Sequence, residues 1–336
     1  MNQFFSAGKE FSLIEALFDQ KHFSKTGDGL GDDAFLWTVG EETWAVSTDT
    51  SVEGIHYRED WGGLSAGLEK ALLSNLSDIN AVGGETAFAL FNLGARKGWK
   101  REVIDDFAKT LKKLEAEFQF RIVGGDTVTK DTESFFTFTV IGRVKGKPLL
   151  RSGARPGHKI YCTGQLGASA AGLALYSQSI HRGQTYGMDE QFKPFLEAHR
   201  VPKPPLLVGP LLSLHKDSVA AIDVSDGLSS ELHHLSVQSS CRMVVNWSKL
   251  LYTDSFGPSL QALPQGKDWK NWILNGGEEY QLIFTGNFTE LELSNLREKS
   301  GEHFIREIGQ VEVGQGVALV NELGEEQQLA AHGWSH

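Results

Sequence analysis

The sequence predicts an α+β protein made of two α/β domains. Three observations support this. At 336 residues the chain exceeds one typical core. Apolar residues recur at both helical and strand periods in each half. Short strands in both halves run repeatedly into Gly/Asp turns and then into helices, although no residue-level repeat is visible.

Taken in order, Phe11, Ile14 and Phe18 begin a short amphipathic helix. Strand signals follow at Trp44–Thr48, ending in the Asp49 motif. Leu68, Leu72, Leu76 and Ile79 form one apolar stripe, so Leu64 to Val82 is a helix with Asn75 and Asp78 on a neighbouring face. Ala87–Leu93 is a strand, and Ile104, Phe107, Leu111, Leu114 and Phe118 define the next helix. Arg121–Val123 is a short strand leading into Gly124-Gly125-Asp126, and Phe135–Val144 alternates as a strand. Prolines and glycines at Lys145–His158 place the boundary there, giving domains 1–147 and 148–336. Lys159–Thr163 is then a strand and Ala168–Ile180 a helix. Pro194–Pro210 is expected to be a stiff connector without regular structure. Ala220–Val224 is a strand, followed by a helix from Leu228 to Gln238 that Ser225 or Asp226 would cap. Arg242–Asn246, Gln281–Thr285, Ile305–Gln310 and Val317–Val320 supply the last strands.

A formal net charge of −11 argues against generic binding to nucleic acid or anionic membranes. It leaves phosphate substrates open, because metal ions invert local charge. The two cysteines, Cys162 and Cys241, are too few for a disulfide framework and are expected to be reduced core residues. With no evident signal peptide or membrane-length apolar run, the expected location is the cytoplasm.

The chemistry is concentrated in six short acidic motifs: Gly31-Asp32-Asp33, Ser47-Thr48-Asp49-Thr50, Asn75-Leu76-Ser77-Asp78, Gly124-Gly125-Asp126-Thr127, Asp223-Val224-Ser225-Asp226-Gly227 and Gly276-Gly277-Glu278-Glu279. One Asp beside Gly is usually a turn residue. Asp78 breaks that rule, because it sits inside a helix where Asp is a poor former. So many carboxylates beside glycine and small hydroxyls suit several Mg²⁺ ions held against a polyphosphate, since Mg²⁺ takes a few carboxylates and completes its shell with water and phosphate. Arg151 and Arg155 beside Ser152-Gly153-Ala154 are candidate phosphate contacts. Gly164-Gln165-Leu166-Gly167 before a helix could offer N–H groups to an anion. His56 reads equally as surface residue or ligand, and His233-His234 as surface residues. The chain contains neither a P-loop nor a kinase-type catalytic loop.

In order, these motifs resemble the thiamine-monophosphate kinase family, within the aminoimidazole-ribonucleotide synthetase-like superfamily. Lys70-Ala71-Leu72, Glu53-Gly54-Ile55-His56, Arg151-Ser152-Gly153-Ala154-Arg155-Pro156-Gly157, Gly277-Glu278-Glu279-Tyr280 and a closing Gly333-Trp334 add to the resemblance, which spans nearly the whole chain. The resemblance implies transfer of the ATP γ-phosphoryl group to thiamine monophosphate, giving thiamine diphosphate and ADP. It implies Mg²⁺ ligands at Asp33, Ser47, Thr48, Asp49, Asp78, Asp126, Asp223 and Asp226. It implies ATP contacts at Gly125, Asp126, Arg151 and Ser225, and thiamine contacts at His56, Glu278 and Trp334. It also implies a homodimer whose N-terminal strands form a shared barrel. The chain departs from the family pattern mildly, with Leu30 before Gly31-Asp32-Asp33 and Glu279 where a shorter carboxylate is usual. The acceptor is already an anionic phosphate, so direct transfer needs no strong base and no phosphoenzyme, in keeping with the lack of an evident nucleophile–base pair. Three alternatives stay open. Selenophosphate synthesis would want a reactive Cys near the N-terminus, whereas the first here is Cys162. The others are amide activation, as in an aminoimidazole-ribonucleotide synthetase, and a non-catalytic metal- or nucleotide-binding protein.

Overall fold

The computed structural model describes residue 14 and residues 16–332, except 183–189, 218, 252–255, 264–268 and 303. The first helix expected near Phe11–Phe18 therefore lies largely outside the described residues, as does Trp334.

The first half is built on a five-stranded sheet of β1 (Phe35–Val39), β2 (Glu42–Val52), β3 (Gly84–Arg96), β4 (Arg121–Lys130) and β5 (Phe135–Val144), in the order β1-β2-β5-β3-β4. All pairings are antiparallel except β3 with β4. That parallel pair is joined through α2 (Arg101–Phe118), as a crossover requires. Alternation along β5 sends Phe136, Phe138 and Val140 into a core shared with α1 (Leu64–Ala81) and α2. The other face of the sheet stays open, with Phe88, Leu90 and Val128 exposed on it.

Helix α1 is buried nearly all round, because it packs on the first sheet and also meets the second half. This is why Ser74, Asn75, Ser77 and Asn80 are buried although polar; Asn80 Oδ1 accepts from Gly209 N at 2.8 Å across the two halves.

The second half carries a seven-stranded sheet of β6 (Lys159–Thr163), β7 (Ala220–Asp223), β8 (Arg242–Asn246), β9 (Leu282–Gly286), β10 (Ile305–Glu312), β11 (Val317–Val320) and β12 (Glu326–Gln328), ordered β12-β11-β8-β10-β6-β9-β7. Its helices are α3 (Ala168–Arg182), α4 (Lys193–Arg200), α5 (Val208–Ser213), α6 (Leu228–Ser239), α7 (Trp247–Leu250), α8 (Phe256–Gln261), α9 (Trp269–Asn275) and α10 (Glu290–Ser300). Cys162 and Cys241 are buried free thiols, as expected from their number.

Several expectations are corrected. Pro194–Pro210 is not a structureless connector. Pro194 occupies the first turn of α4, where a missing N–H costs nothing, and Pro210 lies in the first turn of α5. Neither Ser225 nor Asp226 caps α6; Gly227 is the N-cap, and the Glu231 side chain turns back to accept from Asp226 N at 2.9 Å. Asp49 and Asp126 do not end their strands but lie within β2 and β4. Gly124-Gly125 reads as a turn yet continues β4, because Gly125 sits at φ 149° where a Cβ would come within 1.8 Å of the Phe91 carbonyl oxygen. His234 is buried rather than on the surface.

Candidate active site

Cross-strand register decides which motif residues meet. Ser47 and Asp49 pair with Val140 and Phe138, so their side chains share the helix-covered face of the first sheet. There α1 presents Asn75 and Asp78. Ser47 Oγ donates to Asp78 Oδ2 at 2.5 Å, and Asp49 N donates to Asn75 Oδ1 at 3.0 Å. One residue before Asp78, Ser77 Oγ donates to Asp223 Oδ2 at 2.6 Å. That bond joins α1 to the end of β7, and thus the two halves. Asp33 completes the group, held by an ion pair with the Arg151 guanidinium, while Arg151 N donates to Asp32 Oδ2 at 3.2 Å.

These carboxylates suffer from their surroundings. Burial, then the charge of Asp33, pushes Asp223 up to about 8. Burial and the charges of Asp49, Asp223 and Asp33 raise Asp78 well above the usual range. Burial followed by Asp33 brings Asp32 up to about 7. Arg151 loses solvation too, but the charge and hydrogen bond of Asp33 outweigh that loss and raise it further. Asp33 Oδ2 and Arg151 Nε are buried without a hydrogen-bond partner among the described residues. Among those residues no three His, Cys, Asp or Glu side chains converge as a complete metal cage. Carboxylate and hydroxyl oxygens are donors of the kind a hard cation takes one or two at a time while filling its shell with water and phosphate oxygens.

Asp126 lies elsewhere. It pairs with Asn92, which pairs with Thr137, which pairs with Thr50, all on the open face. Gly125 stands three strand spacings from Asp49 along the row through Phe91 and Phe138, or about 14 Å at ~4.8 Å per strand. Thr48 also points to the open face, where its hydroxyl meets Thr139 Oγ1 at 2.9 Å.

A second feature adjoins the acidic group. The turn carrying Ser225 and Asp226 is stitched to the Gly276–Tyr280 segment: Glu278 N donates to Ser225 O at 2.6 Å and Tyr280 N to Val224 O at 2.8 Å. Glu278 and Tyr280 are held at φ 59° and 50°, left-handed values unusual for residues with side chains. Glu279 then turns inward and accepts from Gly167 N at 2.9 Å and Ser169 N at 3.0 Å. Gly167 N–H, from the turn expected to meet an external anion, thus joins the first amides of α3 in holding the chain's own carboxylate. Glu278 faces a cavity of about 250 Å³ lined also by Ser169, Leu173, His199, Trp272 and Asn275. Its carboxylate pairs with Lys70 Nζ at 2.6 Å and lies 3.4 Å from His199 Nδ1. His56 is half-buried beside the same lysine, its Nδ1 accepting from Val52 N at 3.1 Å and its carbonyl accepting from Lys70 Nζ at 3.0 Å.

Sequence reasoning missed roles for Lys70, His199 and Glu231. Lys70 had one available signal, its place in the Lys70-Ala71-Leu72 segment of the resemblance. His199 had none, since only the fold of α3 and α4 brings it to Glu278.

Residues 31–144 match the family model for the N-terminal domain of AIR synthase related proteins. The chain is 34% identical over 287 residues to thiamine-monophosphate kinase of Bacillus subtilis (strain 168), covering 84% of this chain and 85% of that one. A solved thiamine-monophosphate kinase from Stenotrophomonas maltophilia K279a superposes with a TM-score of 0.74 at 27% identity, over 92% of this chain and 95% of that one. AaThiL, solved in complex with AMPPCP and TMP, shares the fold with a TM-score of 0.80 at 23% identity, over 97% of this chain and 96% of that one. The order of the motifs, the meeting of four of them in one cleft and these similarities lead to one assignment: the chain belongs to the thiamine-monophosphate kinase family.

Proposed function

We infer that the protein transfers the γ-phosphoryl group of ATP to thiamine monophosphate, giving thiamine diphosphate and ADP. The observation that carries this reading is the convergence of Asp33, Ser47, Asp49, Asp78 and Asp223 at one cleft, next to a cavity faced by Glu278. A relative bearing the same name at 34% identity supports the substrate, and the AMPPCP and TMP bound to AaThiL fit the same pair of ligands.

Mg²⁺ would neutralise the repulsion between donor and acceptor phosphates and favour in-line transfer. We propose Asp33, Ser47, Asp49, Asp78 and Asp223 as its principal holders in the cleft, with Asp226 at the adjoining turn and Thr48 and Asp126 contributing from the open sheet. Arg151 would direct charge toward the ATP phosphates, with Gly125 and Ser225 allowing close backbone approach. The acceptor phosphate arrives ionised, so no side chain need remove a proton, and transfer is direct.

His56 and Glu278 are proposed to face the thiamine moiety, with Trp334 as one wall. His332 N donates to Ser229 Oγ at 3.3 Å, that hydroxyl lies 2.6 Å from the Asn275 side-chain amide, and Asn275 lines the cavity. An indole attracts a thiazolium and stacks on an aminopyrimidine.

The chain is further proposed to be a cytoplasmic homodimer with domains 1–147 and 148–336, joined through the open face of the first sheet. An uncovered face carrying Phe88, Leu90 and Val128 supports that surface. Among the described residues no helix is long and apolar enough to cross a membrane. The test of function is product analysis with ATP, Mg²⁺ and a panel of acceptors. Thiamine diphosphate formed from thiamine monophosphate with one ADP per turnover is expected. ADP release that is independent of that acceptor would overturn the assignment.

A further inference from the structure

Lys70 is 3% exposed, within a helix whose neighbouring positions are buried. A buried ammonium is costly unless paired and hydrogen-bonded. Its two described acceptors come from different halves of the molecule. One is Glu278 Oε1, at 2.6 Å, on the Gly276–Tyr280 segment. The other is the His56 carbonyl, at 3.0 Å, in the loop after β2. These are the two described residues read as facing the thiamine moiety.

The pair is also lopsided. The Lys70 side chain is 4% exposed and that of Glu278 25%, and the cavity lies on the Glu278 side. The Glu278 carboxylate thus keeps an open edge toward the cavity while the ammonium is enclosed. Its other oxygen lies 3.4 Å from Nδ1 of His199, a ring packed edge-on against Trp61 at 5.4 Å. Burial, then the charge of Lys70, draws His199 well below its ordinary value. Glu278 itself is held at a left-handed φ, a conformation that persists where the surroundings over-determine it.

We propose that Lys70 is a positioning residue for thiamine recognition: its ammonium ties the His56 loop to the Glu278 turn and sets the direction of the Glu278 carboxylate at the cavity. This rests on the reading that His56 and Glu278 face thiamine monophosphate. Lys70 acts through Glu278, so its effect disappears when that carboxylate is gone.

The test is a double-mutant cycle on the full chain, with KM measured separately for thiamine monophosphate and ATP. Glu278→Gln raises the KM for thiamine monophosphate about tenfold or more and leaves that for ATP within about twofold. Lys70→Met does the same, Lys70→Arg recovers part of the loss, and the double variant is no worse than Glu278→Gln alone. If Lys70→Met fails to fold because it strands the carboxylate, comparison of Glu278→Gln with the double variant still decides, since the double variant buries no unpaired charge. A further rise in KM for thiamine monophosphate in the double variant overturns the proposal. So does an unchanged KM in a folded Lys70→Met while Glu278→Gln is impaired, which leaves the site reading intact. An unchanged KM in Glu278→Gln removes the site reading and the proposal together.

Discussion

Asp223 and Asp126 stand in opposite surroundings. Asp223 is 2% exposed where β7 meets α1, hydrogen-bonded to Ser77 and crowded by the charge of Asp33. Asp126 is exposed on a strand at the edge of the first sheet, on the face without a helix cover. Both belong to motifs of the same kind, a carboxylate beside small residues. In the cleft, the chain itself brings carboxylates together, and their burial and mutual charge raise their hold on protons. On the open sheet, it displays Asp126 in a row with Asn92, Thr137 and Thr50 and leaves the covering to something else. The comparison separates what one chain assembles from what a ligand or second copy must complete.

The largest effect that could break this comparison is loss of turnover in charge-neutral variants at the two sites. Asp223→Asn and Asp126→Asn are each expected to lower kcat by about 10³-fold, since under the proposed metal site an amide keeps the shape but loses the charge that would hold Mg²⁺, an ion worth several kcal/mol at the transition state. Their metal-free melting temperatures should differ. Asp223→Asn should melt higher than the parent, because it removes a buried carboxylate crowded by like charge, whereas Asp126→Asn should leave Tm unchanged. Steady-state kinetics beside thermal scans check both, and near-full activity in Asp126→Asn would take the open sheet out of the metal site.

Next in size is assembly. Leu90→Lys on the open face should convert a dimer to a monomer by light scattering at micromolar concentration, with the core untouched because Leu90 is 37% exposed. A parent that is already monomeric would remove the partner from the account. Smaller still is the tail. Trp334→Ala should raise the KM for thiamine monophosphate several-fold and leave that for ATP nearly unchanged, with Trp334→Phe recovering much of the loss; a lower Tm with both KM values intact would make Trp334 a packing residue.

The divide between legible and hidden features follows the same physics. Asp78 was legible because it violates local helix preference, and only a contact outside the helix explains it. The apolar stripe of α1 was legible because periodicity is local. That Asp49 and Asp126 fall on opposite faces was not, since face depends on strand register, and register here includes a bulge between Ala89 and Leu90. Gly124-Gly125 carries turn chemistry but continues a strand, because close backbone approach to Phe91 demands glycine for a different reason. His199 could not be found, because it reaches Glu278 only through tertiary packing. The helices containing Pro194 and Pro210 were hidden because proline marks a first turn as readily as a break.

The smallest expected effect sharpens the comparison by isolating a buried carboxylate that needs no cation. Burial pushes Glu279 from 4.5 up to about 8, against the opposing pull of the Ser169 and Gly167 amides. A folded-state value above the unfolded one means the folded protein holds the proton more tightly. This contribution to stability is therefore present in full below about pH 4.5 and is lost as pH rises through about 8. Glu279→Gln should match the parent near pH 5 and melt slightly higher near pH 9, with or without Mg²⁺. Equal pH slopes in parent and variant would show that Glu279 stays ionised in its amide cage.

The central claim is that the cleft carboxylates and the ATP phosphates share Mg²⁺. Its most direct test is a thermal scan of the parent and Asp223→Asn with Mg²⁺ alone, AMPPCP alone and both together. A ligand that binds only the folded state at a hundred times its Kd stabilises by about 2.7 kcal/mol. The account predicts that the two ligands together raise the parent's Tm by more than the sum of their separate effects, and that Asp223→Asn loses this excess. A parent whose shifts are merely additive, or a variant with the full excess, would contradict it.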